Sequence, residues 1–598
     1  MRVPAGTLIT AAANQVGVAI EQICGGKGTC GKCKVKLLSG KLSPLNEAEQ
    51  RHLSPQEIAS GVRLACQAAV LEDSSIEVGW ASATAGISIL VEGLLQDISL
   101  DPLVQKTAVR IPAATLEDPV ADYEAVTRTL PAGQALRPTL DALRPLPAAL
   151  RAAEGLITLV RTDGKLLAVE PGDTTKSLYG FAVDIGTTTV VGYLLDLTTG
   201  KRVAVASTLN PQTRFGDDVV SRIDVAQKDP AGLEALRSVI VEALNDLIGQ
   251  TTQQAGVARE QVYGVTVVGN TTMHHLFLGL SPAALGRSPY VPAMASPLQL
   301  NARDAGLRAH PAAQLFVLPN IAGWVGADTV GVLLATRLMQ SDEIRLAVDI
   351  GTNGEMALGS RKRMLACSTA AGPAFEGAQL TFGMRAADGA IDHVDLGEDD
   401  VIIHSLGKGK IRGICGSGVV DIIAALRKLE LVDYTGRLLT RADAAGRVSD
   451  KLAARLVEHP QGGAFVMAPG EQTVTGNPVV LTQRDIRQIQ LAKGAVRAGI
   501  EILISELGVQ PEQISEICLA GAFGNYIRPE SALTIGLVPR LPRAVITPVG
   551  NAAGAGAQMS LLSQAAWREA TDLWAHVEYL ELSLRQDFQQ VFMEAIMM

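Results

Sequence analysis

Cys24, Cys30, Cys33 and Cys66 stand in the pattern Cys-x5-Cys-x2-Cys-x32-Cys, and no other feature limits the fold of the chain as much. The first three share the loop CGGKGTCGKC, and the fourth arrives later in RLACQ. A [2Fe–2S] cluster needs four thiolates on two irons, and its sulfides accept hydrogen bonds from backbone N–H groups. Gly25, Gly26, Gly28 and Gly31 let the main chain wrap closely around such a group. The alternative is a structural zinc site. Zinc ribbons carry two Cys-x2-Cys knuckles, whereas this chain has one, in a glycine-rich loop followed by a long gap.

The reading requires that these thiols are not in disulfides. The opening MRVPAGTLITAAANQVGVAI has no uninterrupted apolar core of a signal peptide, and no later stretch is long and apolar enough to span a membrane. A cytoplasmic location is expected, and there thiols stay reduced. The other three of the seven cysteines, Cys367, Cys415 and Cys518, have small apolar neighbours and read as buried filler. A net charge of −9 and only 4% aromatic residues argue against nucleic acid or an anionic membrane as partner.

The second constraint is a repeat. SLYGFAVDIGTTTVVGYLLDL and EIRLAVDIGTNGEMALGS each read as a strand, a Gly-Thr turn and a second strand, with Asp184 and Asp349 165 residues apart. A Gly-Thr turn after a strand suits phosphate. Gly186 and Gly351 permit close backbone approach, and Thr187, Thr188 and Thr352, with Asn353 beside it, offer donors. Asp184 and Asp349 are expected to hold Mg²⁺, directly or through water, and one of them to orient an attacking water. Walker A is absent, so a nucleotide site here is of another type. An isolated Asp-x-Gly-Thr is an ordinary hairpin turn; two in matching contexts point to paired halves.

The cysteine unit resembles plant-type and adrenodoxin-like ferredoxins over about 75 residues. Its five-residue first gap is closer to the adrenodoxin kind, and only Met1 and Arg2 precede the segment VPAGTLITAA, so the first strand is expected to be clipped. The paired turns resemble the two phosphate motifs of the acetate kinase, sugar kinase, Hsp70 and actin superfamily. LAGAFGNYI, with Gly521 and Gly524, is similar to that superfamily's adenosine loop, and VVGNTTMHH and VGNAAGAGA fall where its connecting segments lie. The fusion of the two resembles the reductive activators of corrinoid-dependent methyltransferases and of the corrinoid iron–sulfur protein. CGGKGTCGKC, DIGTTTV, DIGTNGE, AAGPAFEG and GICGSG carry that resemblance.

It implies a multidomain α+β and α/β chain. A β-grasp ferredoxin-like domain is expected at 1–80, a linker at 81–100 and a small α/β middle domain at 101–176. A two-lobed actin-like, ribonuclease H-like ATPase is expected at 177–598, with lobes of about 177–342 and 343–598. It implies a [2Fe–2S] cluster, ATP and Mg²⁺, a corrinoid partner, a low-potential electron donor, often a homodimer, and return of cob(II)alamin to Co(I). Competing readings are a small-molecule kinase with a ferredoxin regulatory module, an activator of 2-hydroxyacyl-CoA dehydratases, and an electron carrier with a decayed nucleotide fold.

Overall fold

The computed structural model describes residues 2–15, 18, 20, 26–28, 31–78, 98–131, 136–377, 380–524 and 526–598. Cys24, Cys30 and residues 81–97 of the expected linker lie outside the described residues.

In the first segment, helix Ile9–Gln15 follows the two-residue strand Thr7–Leu8, which pairs with Ala69–Val70. Lys34–Ser39 pairs antiparallel with Val62–Leu64 on one side and Ser75–Glu77 on the other. Two short helices, Glu47–His52 and Pro55–Ala59, are capped by Asn46 and Ser54, each in a capping box. Ser43, three residues before Asn46, is not a cap; its hydroxyl accepts the Ala69 N–H at 3.0 Å. The box needs Glu or Gln three residues on; Asn46 has Glu49 there and Ser43 has Asn46. Glu49 is fully buried and takes a bidentate pair from Arg63, with both N···O distances 2.8 Å.

Gln105–Arg110, Leu156–Thr162, Lys165–Pro171 and Arg137–Pro138 then form a four-stranded sheet, covered by three short helices between 122 and 152.

The two Asp-x-Gly-Thr segments become the centres of two six-stranded sheets of matching plan. Tyr179–Ile185 pairs antiparallel with Thr189–Asp196, which pairs with Lys201–Leu209; on its other side it runs parallel to Val262–Gly269, and that to Gln314–Val317. Ile344–Ile350 pairs antiparallel with Gly354–Ser360, which pairs with Arg363–Thr369; on its other side it runs parallel to Ile514–Ala520, and that to Val545–Gly550.

Strand alternation decides where the aspartates point. Phe181, Val183 and Ile185 enter the core on the outer face of the first sheet, and Leu346, Val348 and Ile350 that of the second. Ala182 and Ala347 face a third core between the sheets, so Asp184 and Asp349 share that inner face. The inner layer holds helices Ala327–Thr336 and Ala552–Leu562, packed on each other. The Ala/Gly composition of the second is a packing requirement. A Cβ on Gly556 would lie 2.2 Å from Gly331 O, and one on Gly331 2.7 Å from Ala553 O. Among the described residues no helix is long and apolar enough to cross a membrane.

Candidate functional site

The inner faces of the sheets meet at a cavity of about 430 Å³, within the range of small-molecule sites, roughly 300–1,000 Å³. The structure brings together Asp184, Gly186, Thr187, Thr188, Asp349, Gly351, Thr352, Asn353 and Gly521 on its lining. Gly524 is buried beneath Leu519 and is not among the described lining residues.

The first Gly-Thr turn is held from behind. Asn210 Nδ2 donates to Gly186 O at 2.8 Å, Asn270 Nδ2 to the Thr187 hydroxyl at 2.9 Å, and Arg222 Nη2 to Thr187 O at 2.5 Å. Arg222 is fully buried, and burial pushes its guanidinium down to about 10. The second turn depends on Gly521, at φ +86, where a Cβ would stand 2.4 Å from Asp349 Oδ1 and 2.7 Å from Ile350 O. Gly521→Ala is therefore expected to weaken Mg-nucleotide binding at least about tenfold by calorimetry, with Gly524→Ala the milder change.

Among the carboxylates on the cavity wall, Asp184, Asp328, Asp349 and Glu355 are all shifted upward. Burial, then the charges of Asp328 and Asp184, push Asp349 up to about 8. Burial and Asp328 push Asp184 up to about 7, against the Asn551 amide that donates to it at 3.0 Å. Burial raises Asp328 to about 6, and burial with Asp328 and Asp349 raises Glu355 well above its ordinary value. Four acids, all raised by lost hydration and three of them also by repulsion from their neighbours, form an all-oxygen donor set that fits a hard divalent cation such as Mg²⁺. Sequence reading missed Asp328 and Glu355. Glu355 stands in the quoted DIGTNGE, but Asp328 comes from the start of helix Ala327–Thr336, and only an acid in a first helical turn marked it. Glu376, Arg385, Ser417, Tyr526 and Arg528 also line the cavity.

At the other site, Cys33 and Cys66 are buried with their sulfurs 3.2 Å apart. Gln67 Nε2 donates to Gly26 O at 2.8 Å and to Cys66 Sγ at 3.4 Å, tying the glycine loop to the fourth cysteine. Gly28 (φ +72) and Gly31 (φ +67) are tight, since a Cβ on either would come within 2.8 Å of Gln67 or His52. Two converging thiols under a close-wrapped loop fit a cluster bound by cysteine. Cys24 and Cys30, the other two expected ligands, lie outside the described residues. Lys32, next to Cys33, donates to Leu380 O at 2.6 Å, so this unit touches the larger part of the chain at Leu380. Burial pushes the thiols of Cys367, Cys415 and Cys518 up, which suits inert filler.

His274 and His275 of the segment VVGNTTMHH lie in helix Thr271–Leu278, capped by Asn270. His275 Nδ1 meets Thr271 O at 2.7 Å and its Nε2 accepts the Ala293 N–H at 2.8 Å; burial pushes His274 down to about 3.

Comparison with known proteins covers most of the chain. Residues 1–71 match the 2Fe-2S iron-sulfur cluster binding domain, 93–176 the RACo linker region, 179–341 the RACo middle region, and 343–598 the C-terminal domain of RACo, the ASKHA domain. The corrinoid activation enzyme RamQ of Eubacterium limosum is 33% identical over 590 residues, covering 98% of this chain and 95% of the relative. The [Co(II) methylated amine-specific corrinoid protein] reductase of Methanosarcina barkeri is 26% identical over 402 residues, 62% of this chain and 67% of the relative. The solved structure of a reductive activator for corrinoid, iron-sulfur protein superposes with a TM-score of 0.76 at 34% identity, covering 100% of this chain and 96% of that one.

Proposed function

The chain belongs to the RACo family of corrinoid reductive activators, and from that premise we propose that it uses ATP to return the Co(II) corrinoid of a partner protein or methyltransferase to Co(I). The observation that carries the reading is the joining of two sites in one chain. A converging cysteine pair, Cys33 and Cys66, lies in the unit whose Lys32 donates to Leu380 O, four residues from Glu376 on the wall of an acid-lined cavity.

A [2Fe–2S] cluster, held by Cys24, Cys30, Cys33 and Cys66, would supply single electrons. Mg²⁺ would be held among Asp184, Asp349 and their acidic neighbours. The two Gly-Thr turns grip the phosphates from opposite sides, with Arg222, Asn210 and Asn270 fixing the first turn in place. Residues 177–342 and 343–598 act as the lobes that close on the nucleotide, and Gly521 admits the approach of the adenosine-side loop to Asp349. Moving one electron uphill by roughly 200 mV costs about 5 kcal/mol, within reach of a nucleotide-driven change of state. Closure of the lobes makes Co(I) formation favourable or its reversal slow.

The test is anaerobic absorption spectroscopy of a corrinoid protein in the Co(II) state with this chain, a reductant and Mg-ATP. Growth of the Co(I) band only with ATP is the expected result. ATP hydrolysis with no cobalt response from any corrinoid protein removes the corrinoid partner from the reading. A phosphorylated small molecule in place of Co(I) turns it into a kinase.

A further inference from the structure

Glu376 ends a single turn, Pro373–Glu376, at the edge of the cavity, where it is buried with 8% of its surface exposed. One carboxylate oxygen accepts the Thr188 hydroxyl at 2.8 Å, and the other accepts the Thr352 hydroxyl. Thr188 follows the central strand of the first sheet and Thr352 that of the second. A single side chain therefore ties the two phosphate-facing turns across the cleft.

A buried carboxylate requires donors, and these are the hydroxyls that a Gly-Thr turn offers to phosphate oxygen. Cations complete the pattern. Arg222, which holds Thr187 O, feels the charges of both Glu376 and Arg385, and Arg385 lines the cavity. The carboxylate thus occupies a place furnished for an anion. It cannot keep both hydroxyls when a second anion takes them.

We propose that Glu376 is an internal stand-in for the terminal phosphate of a nucleoside triphosphate. It holds the two turns together while the cleft is empty and is displaced by a triphosphate, which reaches both threonines, but not by a diphosphate. This rests on the ATP reading above. Leu380, whose carbonyl receives Lys32 at 2.6 Å, lies four residues beyond Glu376. The carboxylate that a triphosphate would displace and the contact of the cysteine unit thus lie close together in sequence.

The experiment is calorimetric binding of Mg-AMPPNP and Mg-ADP to the full chain, as wild type, Glu376→Ala and Glu376→Gln. Removing the competing anion should tighten Mg-AMPPNP about tenfold in Glu376→Ala and leave Mg-ADP unchanged. Glutamine keeps part of the tie without the charge and should fall between. Weaker Mg-AMPPNP binding by Glu376→Ala makes Glu376 a direct ligand and overturns the proposal, as does an equal shift for both nucleotides. If thermal melting shows that the alanine variant misfolds, the glutamine variant decides alone: an unchanged ratio of the two affinities overturns the proposal. A wild-type chain that binds neither nucleotide refutes the ATP reading itself, a result distinct from failure of the latch.

Discussion

Cys33→Ser is expected to abolish ATP-dependent corrinoid reduction while ATP hydrolysis stays within about twofold of wild type. Serine keeps the size of the side chain, but its hydroxyl does not ionise near neutral pH and is a poor match for iron and sulfide. The loss reaches beyond one ligand. Cys33 and Cys66 are themselves members of the small core that includes Ile9, Val35, Leu53, Val62 and Leu64. A unit of this size buries little apolar surface, so bound metal contributes to its folding. The visible absorption of the cluster should disappear, and limited proteolysis should cut within residues 2–78 while the two six-stranded sheets, built on separate cores, remain resistant. Equal loss of hydrolysis would mean that the ATPase cannot run without a loaded cysteine unit, and the separation of the two sites would have to be given up.

How far the sequence reaches is visible in particular residues. The turns at Asp184 and Asp349 were legible because a repeated strand-turn-strand pattern places each aspartate by local geometry, and strand alternation then sends both to one inner face. Gly28 and Gly31 were legible as positions of close approach, since a Cβ on either would meet Gln67 or His52. Asp328 was not. It enters the cavity because helix Ala327–Thr336 packs on Ala552–Leu562, and nothing within ten residues of it announces that contact. Glu376 stood in the segment AAGPAFEG, but its tie to Thr188 spans 188 residues and exists only once the two sheets face each other. Helix starts fall between these cases. Asn46 rather than Ser43 caps the first short helix, a distinction that the position of Glu49 already contained.

Asp349→Asn is expected to lower ATP hydrolysis and corrinoid reduction together, by about a hundredfold or more, since loss of a charged ligand costs several kcal/mol and each 1.4 kcal/mol is tenfold. The same change should stabilise the metal-free chain at high pH. Asp349 is pushed from its ordinary value of 3.8 up to about 8, chiefly by burial and then by Asp328 and Asp184. Between those values the folded chain retains a proton that the unfolded chain has released, so this residue's contribution to stability falls as pH rises. Asparagine has no such proton, and its removal of one charge also relieves Glu355. In chelator, the variant should therefore melt above wild type at pH 8, with the gap closing toward pH 4. Mg²⁺ should reverse the order at pH 8 by neutralising the wild-type acids, because the variant offers it one carboxylate fewer. Melting curves at both pH values, with chelator and with Mg²⁺, make the comparison. A variant that melts below wild type at pH 8 in chelator would show that Asp349 is held by attraction rather than tolerated against repulsion, and the acidic wall would then not be poised for a cation.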